Sequence, residues 1–348
     1  MDSLDDWDFD LPDHAIARVP TAIRSASRLM VVPKVAGELS DRSFSDLPTL
    51  LRPGDLLVAN DSRVMAARLR ATRATGGRIE LMVLGPGPGE VDALARPARK
   101  LHAGDVLTLD GGGMAVVTRA AVDGVIRVVF DRDPAEVMAE QGEPPLPPYL
   151  GRPAEPDDHR RYQTVYAGPL GSSAAPTAGL HFDPSVLDAL RAREIGFCTV
   201  TLHVGLGTFR PLRDEDLARG ALHAESYAVP AETAARIAAT RAGGGRVIAV
   251  GTTSARTLES ATPAGARFPL PGGGVTRLFV RPPYALRAID GLITNFHLPR
   301  SSLLMLVAAL CGRKRLLAAY DRAVRTGYRF YSYGDAMLVV DGIAPEGG

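Results

Sequence analysis

The feature that most restricts the fold lies between about Arg68 and Phe130, where short segments of alternating polarity are punctuated by clusters of turn-formers. Residues 78–84, 106–109 and 125–130 each put apolar side chains on one face of an extended chain. Gly76-Gly77, Gly85-Pro86-Gly87-Pro88-Gly89, Gly111-Gly112-Gly113 and Asp123-Gly124 separate such segments. Strands this short cannot bury an apolar face alone, so the spacing predicts an antiparallel sheet or small barrel that forms a self-contained β domain.

On either side the texture changes. Leu56-Leu57-Val58-Ala59 follows a Pro53-Gly54 turn and reads as a buried strand, ending in the polar run Asn60-Asp61-Ser62-Arg63. Asp133-Pro134 begins a short helix. Residues 142–148 then carry four prolines, which fix φ and remove backbone donors, so an extended connection and a boundary near residue 150 follow. Beyond it, Asp183 and Pro184 start a helix through Arg193. Residues 199–204 alternate strictly, 247–250 and 292–294 are short buried strands, and Ser301 caps an apolar helix to Cys311. For 348 residues, two domains are the reasonable prior, and the pattern after residue 150 is mixed α/β.

A formal net charge of +1 argues against a protein that grips long stretches of phosphate backbone by charge alone. Arginine outnumbers lysine 37 to 3, with runs at Arg63, Arg68, Arg70, Arg73 and Arg78 and again between Arg313 and Arg329. A solvated basic face is the plainer account of either run. Cys198 and Cys311 sit in apolar stretches, so no disulfide and a reducing compartment are expected. The N-terminus is acidic where a secretory signal is basic, and the longest apolar run, residues 303–311, is well short of the roughly 20 residues that cross a bilayer. A cytoplasmic location is the expectation.

Several pieces carry possible chemistry. Residues 171–182 (Gly-Ser-Ser-Ala-Ala-Pro-Thr-Ala-Gly-Leu-His-Phe) are nearly all small and lead into a helix. Small residues let a ligand approach the backbone; a loop crossed by another element explains them equally well. Thr199, Thr201 and His203 share one strand face, so His203 leaves the apolar side just before Gly205-Leu206-Gly207-Thr208-Phe209-Arg210. His223, Glu225 and Tyr227 share a face if extended, and offer a base, a carboxylate and a phenol. No third ligand stands at a recognisable metal spacing, so no metal is expected. Gly251-Thr252-Thr253-Ser254 joins a strand to a helix carrying Arg256 and Glu259, an arrangement suited to an anion. Asn295-Phe296-His297 closes another strand. Tyr328, Phe330, Tyr331 and Tyr333 precede Gly334-Asp335, and such aromatics either stack unpaired bases or simply pack.

In order and wording these pieces resemble the S-adenosylmethionine:tRNA ribosyltransferase-isomerases from residue 9 to residue 337. The matching blocks include residues 53–63, 146–149, 162–166, 175–182, 201–211, 251–259 and 293–299. Two positions depart from the family's pattern: Arg18 stands where glutamine is usual, and Pro282-Pro283-Tyr284 replaces Pro-Gly. The resemblance implies a large mixed α/β main domain, residues 1–64 and 151–348, with an inserted antiparallel β-barrel domain at 65–150. It also implies that S-adenosylmethionine is consumed as co-substrate. Its ribosyl unit would pass to 7-aminomethyl-7-deazaguanine at the wobble position of a tRNA anticodon loop, giving epoxyqueuosine with release of adenine and methionine. Neither a membrane nor a metal is implied, and a monomer is expected.

A sulfonium acidifies the neighbouring C5′ protons, so the reaction needs a base shielded from water. Against that chemistry the catalytic candidates are His181, His203, His223, Glu225 and His297, with His203 the one whose loss is expected to abolish turnover. Candidates for holding substrate are Asn60, Asp61, Arg63, Pro176, Thr177, Gly179, Gly205, Gly207, Thr208, Phe209, Arg210, Thr252, Thr253, Ser254, Arg256, Glu259, Asn295, Phe296, Tyr331, Tyr333 and Asp335. Among them Arg210, Arg256, Glu259 and Asp335 have charge to match methionine, and Phe209, Phe296 and Tyr331 have rings to hold a flipped base. Two readings compete: a related enzyme that cleaves S-adenosylmethionine for another nucleoside acceptor, and a non-catalytic RNA-binding protein working through its β domain.

Overall fold

The computed structural model describes residues 3–85, 87–205 and 212–343. Its strands are β1 (Arg28–Val32), β2 (Ser40–Ser43), β3 (Leu56–Asn60), β4 (Arg63–Val64), β5 (Arg68–Arg73), β6 (Arg78–Val83), β7 (Glu90–Arg96), β8 (Val106–Leu109) and β9 (Met114–Val122). They continue with β10 (Val125–Phe130), β11 (Leu170–Ser172), β12 (Gly196–Leu202), β13 (Ala221–Val229), β14 (Val247–Val250), β15 (Gly272–Leu278), β16 (Gly291–Asn295) and β17 (Ala336–Val339).

One large sheet has the order β15-β13-β12-β3-β14-β16-β17-β1-β2. Its centre is parallel: β12, β3, β14 and β16 all run the same way. Parallel strands covered on both faces read as continuous apolar runs, which is why residues 56–59 and 247–250 were legible as strands. The pleat divides them between two cores. Leu56, Val58, Val247, Ala249 and Leu292 enter one cluster, while Leu57, Ala59, Ile248, Val250 and Ile293 enter the other. The apolar helix Ser302–Cys311 packs into the first. Ser301 Oγ accepts from Leu304 N at 3.2 Å, a cap worth about 1 kcal/mol. Among the described residues no helix is long and apolar enough to cross a membrane.

The segment of short strands forms a closed antiparallel barrel, β10-β7-β6-β5-β8-β9. Alternate residues, including Leu69, Ala71, Ile79, Leu81, Ala93, Leu107 and Val128, fill the interior, and closure leaves no free sheet edge. Val137 and Met138 of the helix Pro134–Gln141 complete this core, which shares no residue with the cores of the large sheet. Arg68 and Glu143 exchange both backbone hydrogen bonds, Arg68 N to Glu143 O at 3.1 Å and Glu143 N to Arg68 O at 2.8 Å. The chain therefore enters and leaves the barrel at one joint. The chain just before it, β4, pairs with β11, which follows the barrel's return.

Candidate active site

A cavity of about 670 Å³ lies where β12, β14 and β16 end. Open parallel sheets place ligands at the carboxyl ends of their strands, because helices starting there turn free N–H groups toward the crevice. Here Gly251 adopts φ +89° after β14, a conformation that glycine takes without strain, and the helix Thr252–Ala261 begins with no side-chain cap. Thr252, Thr253 and Arg256 from this helix line the cavity. So do Ala174, Ala175, Pro176, Thr177 and Ala178 of the small-residue run, His223 and Glu225 of β13, and Thr294 to Leu303. Tyr149, Tyr162, Tyr331 and Ser332 supply another wall.

Four polar atoms on this lining are buried and have no partner among the described residues: Thr253 Oγ1, Arg256 Nη2, Asn295 Oδ1 and Tyr331 Oη. Each such group costs about 1–3 kcal/mol unless something answers it, so their convergence marks a place built for a polar ligand. Arg256 is held in place on two sides. Its Nε donates to Leu278 O at 3.1 Å, and its Nη1 pairs with Glu225, itself buried and accepting from Gly205 N at 3.2 Å.

Asn295 has its orientation dictated. Tyr331 O can only accept, so the amide nitrogen faces it at 3.1 Å; the same nitrogen donates to His181 Nε2 at 3.0 Å. His181 then carries its proton on Nδ1, which donates to Ser27 Oγ at 2.7 Å, and Ser27 in turn donates to Arg24 O at 3.3 Å. Burial pushes the His181 pKa down to about 3, with Arg24 and Arg329 adding to the shift. His297 is also pushed down to about 3 by burial, and shares a 2.7 Å hydrogen bond with Thr294 Oγ1. Tyr331 sits at φ +72° and stacks on Tyr149, ring centroids 4.4 Å apart and planes 23° from parallel.

Other candidate residues have different work. Asn60 is fully buried and splices β3 to β12: its Oδ1 accepts from Leu202 N at 3.0 Å and Ser62 N at 3.1 Å, and its Nδ2 donates to Leu202 O at 3.0 Å. Asp61 accepts from Thr201 Oγ1 at 2.7 Å, and Arg63 donates to Ala167 O at 2.8 Å. Ser254 Oγ donates to Val250 O at 2.7 Å. Glu259 accepts from Arg287 N and Ala288 N, both at 2.7 Å, and Asp335 from Arg28 N and Arg329 N, both at 2.8 Å. Tyr333 donates to Asp158 at 2.7 Å. Gly179 packs where a Cβ would fall 2.1 Å from Tyr166 Oη. None of these lines the cavity, and their polar groups tie loops together.

His203 also lies outside the lining, its ring against Gly171, where a Cβ would come within 2.9 Å of Nδ1. Burial lowers its pKa, opposed by Asp61. Phe296 touches the cavity but belongs to an aromatic core with Tyr320, Tyr328 and Phe330, so its ring is not free to take a base. Gly207, Thr208, Phe209 and Arg210 lie outside the described residues. Of the two departures, Arg18 makes an exposed 2.9 Å pair with Asp13 and Tyr284 donates to Glu259 at 3.1 Å; neither reaches the cavity. Among the described residues no cluster of three His, Cys, Asp or Glu is arranged for a metal. Tyr149 and Tyr162 were not expected. The signal available was the rigid Pro147-Pro148 pair just before Tyr149, which fixes where that ring stands.

Comparison with known proteins agrees with this geometry. Residues 4–339 match the family described as queuosine biosynthesis protein. An S-adenosylmethionine:tRNA ribosyltransferase-isomerase from Azoarcus sp. (strain BH72) is 51% identical over 340 residues, covering 97% of each chain. One from Anaeromyxobacter dehalogenans (strain 2CP-C) is 49% identical over 344 residues, covering 97% of this chain and 99% of the relative. The crystal structure of S-adenosylmethionine tRNA ribosyltransferase from Thermotoga maritima superposes with a TM-score of 0.56 at 35% identity, over 96% of this chain and all of the other. The chain thus belongs to the queuosine biosynthesis protein family, with the S-adenosylmethionine:tRNA ribosyltransferase-isomerases.

Proposed function

We propose that this enzyme transfers and isomerises the ribosyl group of S-adenosylmethionine onto 7-aminomethyl-7-deazaguanine at the tRNA wobble position. Adenine and methionine leave, and epoxyqueuosine remains in the RNA. The observation that carries the reading is the set of four unpartnered buried polar atoms around one cavity, whose volume of about 670 Å³ suits a nucleoside-sized ligand. The catalytic body is built from residues 1–64 and 151–348, and 65–150 is an insertion; the separate barrel core supports this division.

Arg256 Nη2 and the uncapped N–H groups of Thr252 and Thr253 suit the methionine carboxylate. Asn295 Oδ1 accepts from a substrate N–H or O–H, and the Tyr149–Tyr331 stack offers a ring face to a base drawn out of the anticodon loop. Two histidines stand on the cavity wall. His297, held near pKa 3, is a weak base at neutral pH, which leaves His223 of β13, open to the cavity and covered once substrate is bound, to take the C5′ proton beside the sulfonium. The protein incubated with S-adenosylmethionine and tRNA bearing the modified base should yield adenine, methionine and epoxyqueuosine by mass spectrometry. Adenine without modified RNA would point to another acceptor. Folded protein that consumes no S-adenosylmethionine would end the proposal.

A further inference from the structure

The barrel's charges are not evenly distributed. Six arginines of the barrel and the helix after it each meet a carboxylate: Arg68 with Glu80, Arg70 with Glu143, Arg73 with Asp105, Arg119 and Arg127 with Asp92, and Arg132 with Glu140. Four other cations, Arg78, Arg96, Arg99 and Lys100, are exposed and have no hydrogen-bond or ion-pair partner among the described residues.

The strand register puts these four at one end. Arg78 starts β6, and Arg96 ends the antiparallel β7, where it stands opposite Glu80; Arg99 and Lys100 follow directly. Of the acids near them, Glu80 is occupied with Arg68 and Asp105 with Arg73 and His102 N, and Asp123 is exposed on the turn beside Arg96. By register Arg78 stands opposite Thr72, four residues along β5 from the Arg68–Glu143 joint and so roughly 14 Å from it at 3.4 Å per residue, while Arg96 ends β7 at the level of Glu80 and Arg70 and the chain runs on from there to Arg99 and Lys100. The joint is continuous with Pro148 and Tyr149, which line the cavity.

We infer that the rim formed by Arg78, Arg96, Arg99 and Lys100 grips the sugar-phosphate backbone of the tRNA body, away from the anticodon loop held at the cavity. The inference rests on the tRNA reading above. Four unpaired cations in a chain of net charge +1 are a local electrostatic footprint, and being exposed they cost the fold nothing. Phosphate contacts of this kind set register without reading sequence.

The test is a variant with Arg78, Arg96, Arg99 and Lys100 all changed to Ala. Its affinity for full-length tRNA and for an isolated anticodon stem-loop is followed by fluorescence anisotropy against salt. For full-length tRNA, the slope of log Kd on log salt should fall by about three to four, at roughly 0.7–0.9 per lost phosphate contact, and KM for this RNA should rise. Stem-loop binding and KM for S-adenosylmethionine should not change. The paired-charge control Arg132→Ala should behave as wild type. An unchanged slope, or equal loss on the stem-loop, would overturn the role of the rim while leaving the enzyme's reaction intact. If wild type neither binds nor modifies tRNA, both readings fall together.

Discussion

At the residue scale, Asn295 concentrates the most information. Replacing it with Leu takes the donor from the buried His181 Nε2, leaves Tyr331 O with Gly334 N alone, and removes the acceptor that faces the cavity. The expected cost is about 1–3 kcal/mol of stability and at least a tenfold fall in kcat/KM, read from denaturant midpoints and steady-state kinetics. His181→Asn should show that this histidine acts through Asn295, losing far less activity than His223→Ala, with the pH profile of kcat unmoved. His203→Ala should likewise leave most of the turnover. His181 and His297 bear on stability too. An unfolded chain takes a proton on each near pH 6.5, and the folded protein only near pH 3. Stability is therefore full above pH 6.5 and falls as the pH drops toward 3, by about 2 kcal/mol per histidine at pH 5. Urea titrations of wild type and His181→Asn at pH 7 and pH 5 check this: the pH-dependent difference should shrink in the variant. Sequence reading put a polar group at the end of each parallel strand, and Thr253 and Asn295 do meet the cavity. Asn60, Glu259 and Asp335 looked the same in one dimension. What separates them is that their side-chain oxygens accept from backbone N–H groups elsewhere in the fold, as Asn60 Oδ1 does from Leu202 N, whereas Thr253 Oγ1 and Asn295 Oδ1 have no partner among the described residues, and local pattern does not reveal that.

At the scale of elements, the helix Thr252–Ala261 and β13 are joined by the buried Arg256–Glu225 pair. Arg256→Met alone should destabilise the fold measurably, because it removes one side of a buried ion pair. The double variant Arg256→Met with Glu225→Leu should recover most of that stability and still fail to bind S-adenosylmethionine. Thermal unfolding and titration calorimetry separate the two effects; recovery of binding in the double variant would remove Arg256 from the site. The elements themselves were unevenly legible. β3, β14 and β16 announce themselves as apolar runs, and the barrel strands as alternation between glycine turns. β15 opens with three glycines, Gly272-Gly273-Gly274, which read locally as a turn. They fit beside β13 because a Cβ at Gly274 would come within 2.9 Å of Tyr227 Oη, a constraint set by a strand more than forty residues away.

For the whole molecule, the two bodies keep separate cores and meet at the Arg68–Glu143 joint. Excising residues 68–143 and closing the gap with two glycines should leave the large sheet folded, with its near-ultraviolet circular dichroism retained. Turnover on full-length tRNA should fall more than turnover on a stem-loop. Loss of all tertiary signal would mean that the barrel is needed for the main sheet to form. The joint has a mechanical corollary as well. Because the chain enters and leaves the barrel side by side, tension applied through the two termini runs through the large sheet and bypasses the barrel. In an optical trap the outer body should yield first. The barrel should then give way in a second rip, releasing roughly 250 Å of hidden chain at 3.3–3.6 Å per residue.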